Sequence, residues 1–142
     1  MEKIKWFLLA LVLSVNVNAT ETDQLFESGL QAIENKDFKT AISELEKVVK
    51  IEPDNSEYHR WLGRAYGLQA EQASWFKAIG WAKKTRISFE KAVELDPENV
   101  KALLDLREFY QQAPGFLGGG KDKADTITEK LKALGKNIDQ EK

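Results

Sequence analysis

The segment that most invites chemistry is Gly115-Phe116-Leu117-Gly118-Gly119-Gly120-Lys121-Asp122, which spells G-x-x-x-x-G-K and then breaks the pattern. A nucleotide-binding loop of that spacing wraps backbone amides around phosphates and needs Ser or Thr after the lysine to hold Mg²⁺. Asp122 would set a carboxylate against those phosphates. The preceding element is also wrong, because such a loop follows a buried strand and Val100 to Gln112 reads as a helix. The glycines fit a tight connection between helices better, with Asp122 at the start of the second helix and its bare amides open to an anion. His59 is the single histidine and has no Asp, Cys or second His at metal or triad spacing, so it reads as a helix-surface or interface residue. The chain has no cysteine, which excludes disulfides, Cys-based zinc sites and thiol catalysis. Glu44, Glu46, Glu90 and Glu94 recur at helical intervals and read as solvated faces. No catalytic constellation is left, so no enzyme activity, no metal and no cofactor is expected.

The elements that must carry any site belong to a chain of 142 residues, 42% hydrophobic and 31% charged, the size of one globular domain. Its net charge of -2 argues against nucleic acid as a partner, since a phosphate-binding surface shows as a basic excess. Lys3 and Lys5 precede an uncharged run from Trp6 to Val17. That run is too short for a membrane span, which needs about 20 residues, and suits a secretory signal. Val17-Asn18-Ala19 supplies small or apolar residues for cleavage after Ala19, so residues 1–19 are expected to be a signal peptide and the protein periplasmic or secreted. An uncleaved N-terminal anchor is the alternative.

Two stretches repeat 44 residues apart: Lys47-Val48-Val49-Lys50-Ile51-Glu52-Pro53-Asp54-Asn55 and Lys91-Ala92-Val93-Glu94-Leu95-Asp96-Pro97-Glu98-Asn99. A period in this range means that each unit cannot bury its apolar face alone and stacks on a neighbour. Within units the period is helical, with one stripe at Leu25, Phe26, Gly29, Ala32 and Ile33 and another at Phe38, Ala41, Ile42, Leu45, Val48 and Val49. Asn35-Lys36-Asp37 separates them, the prolines end helices, and Ser56 is the expected cap of the next one. No segment alternates with period two for long enough to make a strand.

These residues resemble the tetratricopeptide repeat, a 34-residue helical hairpin with a small residue at position 8, an aromatic at 17, Ala at 20, an apolar residue at 24 and Pro at 32. Gly29, Phe38, Ala41, Leu45 and Pro53 fill those places in a unit spanning about 22–55. Residues 56–99 form a second unit with Leu62, Gly63 and Tyr66 in its first helix, and 100–134 a third with Leu103, Leu106, Tyr110 and Ala124. Arg107 replaces the small residue at position 8 of the third unit and Thr85 replaces Ala at 20 of the second. The resemblance implies an all-α, right-handed solenoid over 20–136, followed by a polar tail at 137–142.

The second unit exceeds the 34-residue frame by ten residues, placed between Tyr66 and Thr85, so its hairpin should protrude. That hairpin, 74–84, holds Trp75, Phe76 and Trp81. In one reading Trp75, Phe76 and Ile79 pack on Leu68, Gln72 and the first helix of unit three. In the other they form a contact surface for a protein, a lipid headgroup region or a second copy, with Lys77, Lys83 and Lys84 suited to an anionic membrane and Trp81 as the leading candidate.

The resemblance also implies a concave groove lined by the first helix of each unit: Asp23, Phe26, Leu30, Ile33 and Glu34, then Glu57, Arg60, Arg64, Gly67 and Leu68, then Lys101, Leu104, Glu108, Gln111 and Gln112. Such a groove has a basic middle and suits a peptide with hydrophobic anchors and a carboxylate. Arg60 and Arg64 are one turn apart and need an anion, or a carboxylate such as Glu34 or Glu108, between them. Phe26 and Leu30 stand where the family's carboxylate clamp has Lys and Asn, so chaperone-tail binding is not expected. The resulting expectation is a non-catalytic adaptor of the cell envelope that binds a partner protein or peptide. Peripheral membrane contact is the alternative, and a homodimer could cover an exposed end of so short a stack.

Overall fold

The computed structural model describes residues 21–136; the signal-peptide reading of 1–19 and the tail at 137–142 lie outside the described residues. Over that range the chain is all-helical, with no strand among the described residues. Helix α1 covers 21–34, α2 Phe38–Ile51, α3 Ser56–Gln72, α4 Trp75–Leu95, α5 Val100–Gln112 and α6 Lys121–Ala133, with a short 3-10 turn at Gly115–Leu117. None of these helices is long and apolar enough to cross a membrane.

Three of the joints have a local side-chain cause. Lys36 takes a positive φ of 59° after α1, and the Asp37 carboxylate then accepts from the Thr40 amide to start α2. Asn55 Oδ1 accepts from the amides of Glu57 and Tyr58 to cap α3, and Asn99 Oδ1 accepts from the Ala102 amide to cap α5. The expected cap Ser56 has another task, since its hydroxyl donates to Ala92 O at 2.7 Å and ties the start of α3 to the end of α4. The repeated Pro-x-Asn segments are therefore two copies of one joint, in which proline stops a helix and asparagine begins the next.

Helices adjacent in sequence pack on one another, α2 on α3, α3 on α4, α4 on α5 and α5 on α6, and α3 also meets α5. Small residues set the closest approaches. A Cβ at Gly29 would lie 2.9 Å from Leu45 Cγ, and one at Gly63 would lie 2.6 Å from the Phe89 ring. In the third pair Arg107 and Thr128 replace this glycine-on-apolar contact with a hydrogen bond of 2.9 Å from Nε to Oγ1. Thr85 fits where alanine was expected because its methyl faces Gly67, where a Cβ would be 3.6 Å away.

Two apolar clusters result. One joins Ala32, Ala41, Ile42 and Leu45 to Leu62, Ala65 and Tyr66; the other joins Phe89, Ala92 and Val93 to Leu103, Leu106, Tyr110, Ala124, Ile127 and Leu131. A matched strut braces each. Tyr66 donates to Glu46 at 2.6 Å and Tyr110 donates to Glu90 at 2.8 Å, so these two glutamates are acceptors for buried phenols and are not merely solvated. Burial, and then the adjacent carboxylate, push both phenols well above their ordinary pKa.

The ten surplus residues are divided between α3 and α4, which have 17 and 21 residues against 14 in α2 and 13 in α5. At 1.5 Å per residue they reach about 26 and 32 Å, joined by a two-residue turn at Ala73 and Ser74.

Candidate functional site

The first helices of the second and third hairpins, α3 and α5, are locked together at their N-terminal ends. Arg60, only 3% exposed, donates through Nε and Nη2 to Glu57 and through Nη1 to Asp105 at 2.9 Å. Asn99 Nδ2 adds bonds to Ser56 Oγ at 2.9 Å and Glu57 Oε2 at 3.3 Å. The two carboxylates respond differently. Burial alone would raise Glu57, but hydrogen bonds from Arg60 and Asn99 outweigh it and lower its pKa; for Asp105 burial wins over the single Arg60 bond and raises it.

Past this closure the space between α3 and α5 is open, forming a groove of about 340 Å³ over the inward side of α4. Its floor is apolar, from Leu68, Ala82, Phe89 and Phe109, and its rim carries Arg64, Glu71, Glu108 and Gln112. Leu117, from the 3-10 turn, closes one end.

Of the residues expected in a groove, Arg64, Gly67, Leu68, Glu108 and Gln112 are brought together here. Arg60 is not offered to a ligand, because its charge is already matched inside the α3–α5 closure by Glu57 and Asp105, not by Glu34 or Glu108. Leu104 packs against the second apolar cluster and Gln111 is exposed away from the lining. Phe26 and Ile33 pack against the first cluster, Phe26 with its ring 4.8 Å from that of Tyr58, and Leu30 is half-buried on α1. The expected basic middle is thus reduced to Arg64, facing carboxylates at Glu71, Asp105 and Glu108. Arg60 and Arg64 each lie 4.8 Å over the Trp61 ring, which lets two cations one turn apart share a helix face. Sequence reasoning missed Asp105, Phe109 and Glu71, whose positions in the groove depend on where α3 and α5 part.

In the α3–α4 hairpin the three aromatics divide between the two readings, and it is Trp81, the leading contact candidate, that packs inward. Trp81 is half-buried, stacked 5.8 Å from Tyr66, and Lys84 lies over both rings. Trp75 and Phe76 do not pack as core; they are among the most exposed large apolar side chains described.

The glycine loop is a helix-to-helix connection. Gly120 N donates to Tyr110 O at 2.9 Å, Gly119 N donates to Pro114 O at 3.2 Å, and Gly118 has a φ of 92°. Lys121 pairs with Asp125 in the first turn of α6. His59 Nε2 donates to Pro53 O at 2.7 Å. Among the described residues no group of three or more His, Asp or Glu side chains could hold a metal ion. A comparison with protein-family models finds none that matches this chain, and none of the curated proteins matches it either.

Proposed function

We propose that the chain is a non-catalytic adaptor of the cell envelope, a tetratricopeptide-like stack of helix pairs that holds a peptide segment of a partner protein between α3 and α5. The observation that carries this reading is the contrast along those two helices. Their N-terminal halves are closed by a satisfied ionic network, while their C-terminal halves leave an apolar floor under a polar rim. Sites of that composition bind by inserting an apolar side chain and orienting it with a few polar contacts. The carboxylate once expected of the ligand loses its reason with Arg60 already neutralised. Glu71 and Glu108 favour instead a peptide that places an apolar anchor on Phe109 and a cation at the rim.

Photocrosslinking in cells tests this. A photoreactive residue replacing Arg64 or Gln112, on facing walls, should capture one and the same partner, and Leu68→Glu should abolish both adducts. The same group at Lys39, on the outer side of α2, should not capture it. Adducts identical at all three positions, or none at 64 and 112, would overturn the reading.

A further inference from the structure

The face of α4 that does not line the groove carries a strip of exposed side chains. Phe76, Gly80, Lys83 and Ile87 are spaced i, i+4, i+7 and i+11, which aligns them along one side of the helix over about 17 Å. Phe76 is 87% exposed and Ile87 58%; Trp75, at the tip of the hairpin, is 66% exposed. Gly80 has nothing within 4 Å of where a Cβ would stand, so no neighbour covers the middle of the strip. The groove-lining residues Ala82, Thr85 and Phe89 lie on the opposite side of the helix.

The charges on this strip are of one sign. From Gln72 to Phe89 the sequence has Lys77, Lys83, Lys84 and Arg86 and no carboxylate, in a chain whose net charge is -2. Arg86 is matched by Glu90, and Lys84 lies over Tyr66 and Trp81. Lys77 and Lys83 are exposed and make no ion pair among the described residues. Water is a poor environment for Trp75 and Phe76, and among coverings that would hide them a negatively charged one suits the unpaired lysines nearby.

We infer that this strip is a peripheral docking surface for an anionic lipid bilayer, with Trp75 and Phe76 entering the headgroup boundary and Lys77 and Lys83 facing lipid phosphates. Tryptophan at a helix tip suits that boundary because its ring is amphipathic, and Trp75 and Phe76 at the tip with Lys77 and Lys83 close by combine apolar insertion with attraction to anionic headgroups. A second copy of the chain fits less well. Two-fold contact of the strip with itself would set Lys77 and Lys83 against the same lysines of the other copy, with no acid between Glu71 and Glu90 to compensate. This docking is independent of the groove, which stays open to its peptide on the other side of α4.

The cysteine-free sequence gives a direct test in the full chain. Gly80→Cys, labelled with an environment-sensitive nitrobenzoxadiazole group, puts a reporter in open space on the strip without removing any proposed contact. Glu129→Cys on α6 serves as the control. On mixed phosphatidylcholine and phosphatidylglycerol vesicles the reporter at 80 should brighten and shift to the blue, and the reporter at 129 should not. Added salt should weaken the response. In the Gly80→Cys background, Trp75→Ser with Phe76→Ser should reduce vesicle affinity about tenfold or more. Lys77→Ala and Lys83→Ala should each reduce it about fivefold. A chain that sediments with vesicles while the reporter at 80 stays unchanged would overturn the inference and assign binding to the apolar run 6–17. Equal responses at 80 and 129, or equal responses to neutral vesicles, would also overturn it. A shift produced by raising protein concentration without lipid would give the strip to a second copy.

Discussion

Arg60 holds two carboxylates whose pKa values move in opposite directions, and the difference follows from how many bonds each accepts. Glu57 accepts from Nε and Nη2 of Arg60 and also from Asn99, whereas Asp105 accepts from Arg60 once and is the more buried of the two. Because the folded pKa of Glu57 is below its ordinary 4.5, the stability it contributes is fully present above that value and is lost as pH falls through the lowered pKa. Asp105, raised above 3.8, works the other way, since the folded state takes up its proton first and gains as pH falls. Glu57→Gln should therefore lower the urea midpoint at neutral pH, and its deficit against the parent should shrink steadily below pH 4.5. A deficit that is constant with pH would show that the ionised form of Glu57 is not what Arg60 holds. The partner of Arg60 was expected in Glu34 or Glu108, and Glu57, three residues away on the same helix, was passed over. Asp105, 45 residues further on, was not legible, because nothing local indicates which acid of a later helix faces a given arginine.

At the scale of helices, glycine positions separate packing from propensity. Gly63→Ala would drive a Cβ into the Phe89 ring and should destabilise the fold by about 1–3 kcal/mol, as overpacking does. Gly80→Ala meets nothing and should stabilise α4 by about 1 kcal/mol through helix propensity alone. Thermal melts of the two variants check both signs together. The helices themselves were readable from the 3.6-residue stripes, and the joints from Pro53 and Pro97. Two readings failed for identifiable reasons. Ser56 looked like a cap because its hydroxyl was counted locally, but that hydroxyl reaches across to Ala92 and leaves the cap to Asn55. Trp81 looked like the leading contact residue because it falls out of phase with Phe76 and Ile79. Distance from the hairpin tip decided the matter instead: Trp81 lies far enough along α4 to meet Tyr66, and in the first turn Trp75 and Phe76 stay exposed.

For the molecule as a whole, two apolar clusters bridged by the α3–α4 hairpin predict stability that varies along the stack. Leu45→Ala should cost about 2–5 kcal/mol, as buried leucine truncations do. Hydrogen exchange should show the lost protection concentrated in α1 to α3, with α5 and α6 much less affected. Uniform loss over all six helices would show instead that the described chain unfolds as a single unit. The groove was legible only in its C-terminal half, at Arg64, Gly67, Leu68, Glu108 and Gln112. A repeat frame assigns residues to a face but does not say where along that face neighbouring helices are tied shut, which here depends on Arg60, Asp105 and Asn99. The joint itself has a further consequence. Residues 56–99 begin after one Pro-x-Asn connector and end on another whose asparagine caps the next helix, so on the proposed repeat reading this stretch is the natural unit to duplicate. If that reading holds, a tandem copy spliced after Asn99 should add one more helical hairpin through a joint already present, read as added helix content without loss of the cooperative melt.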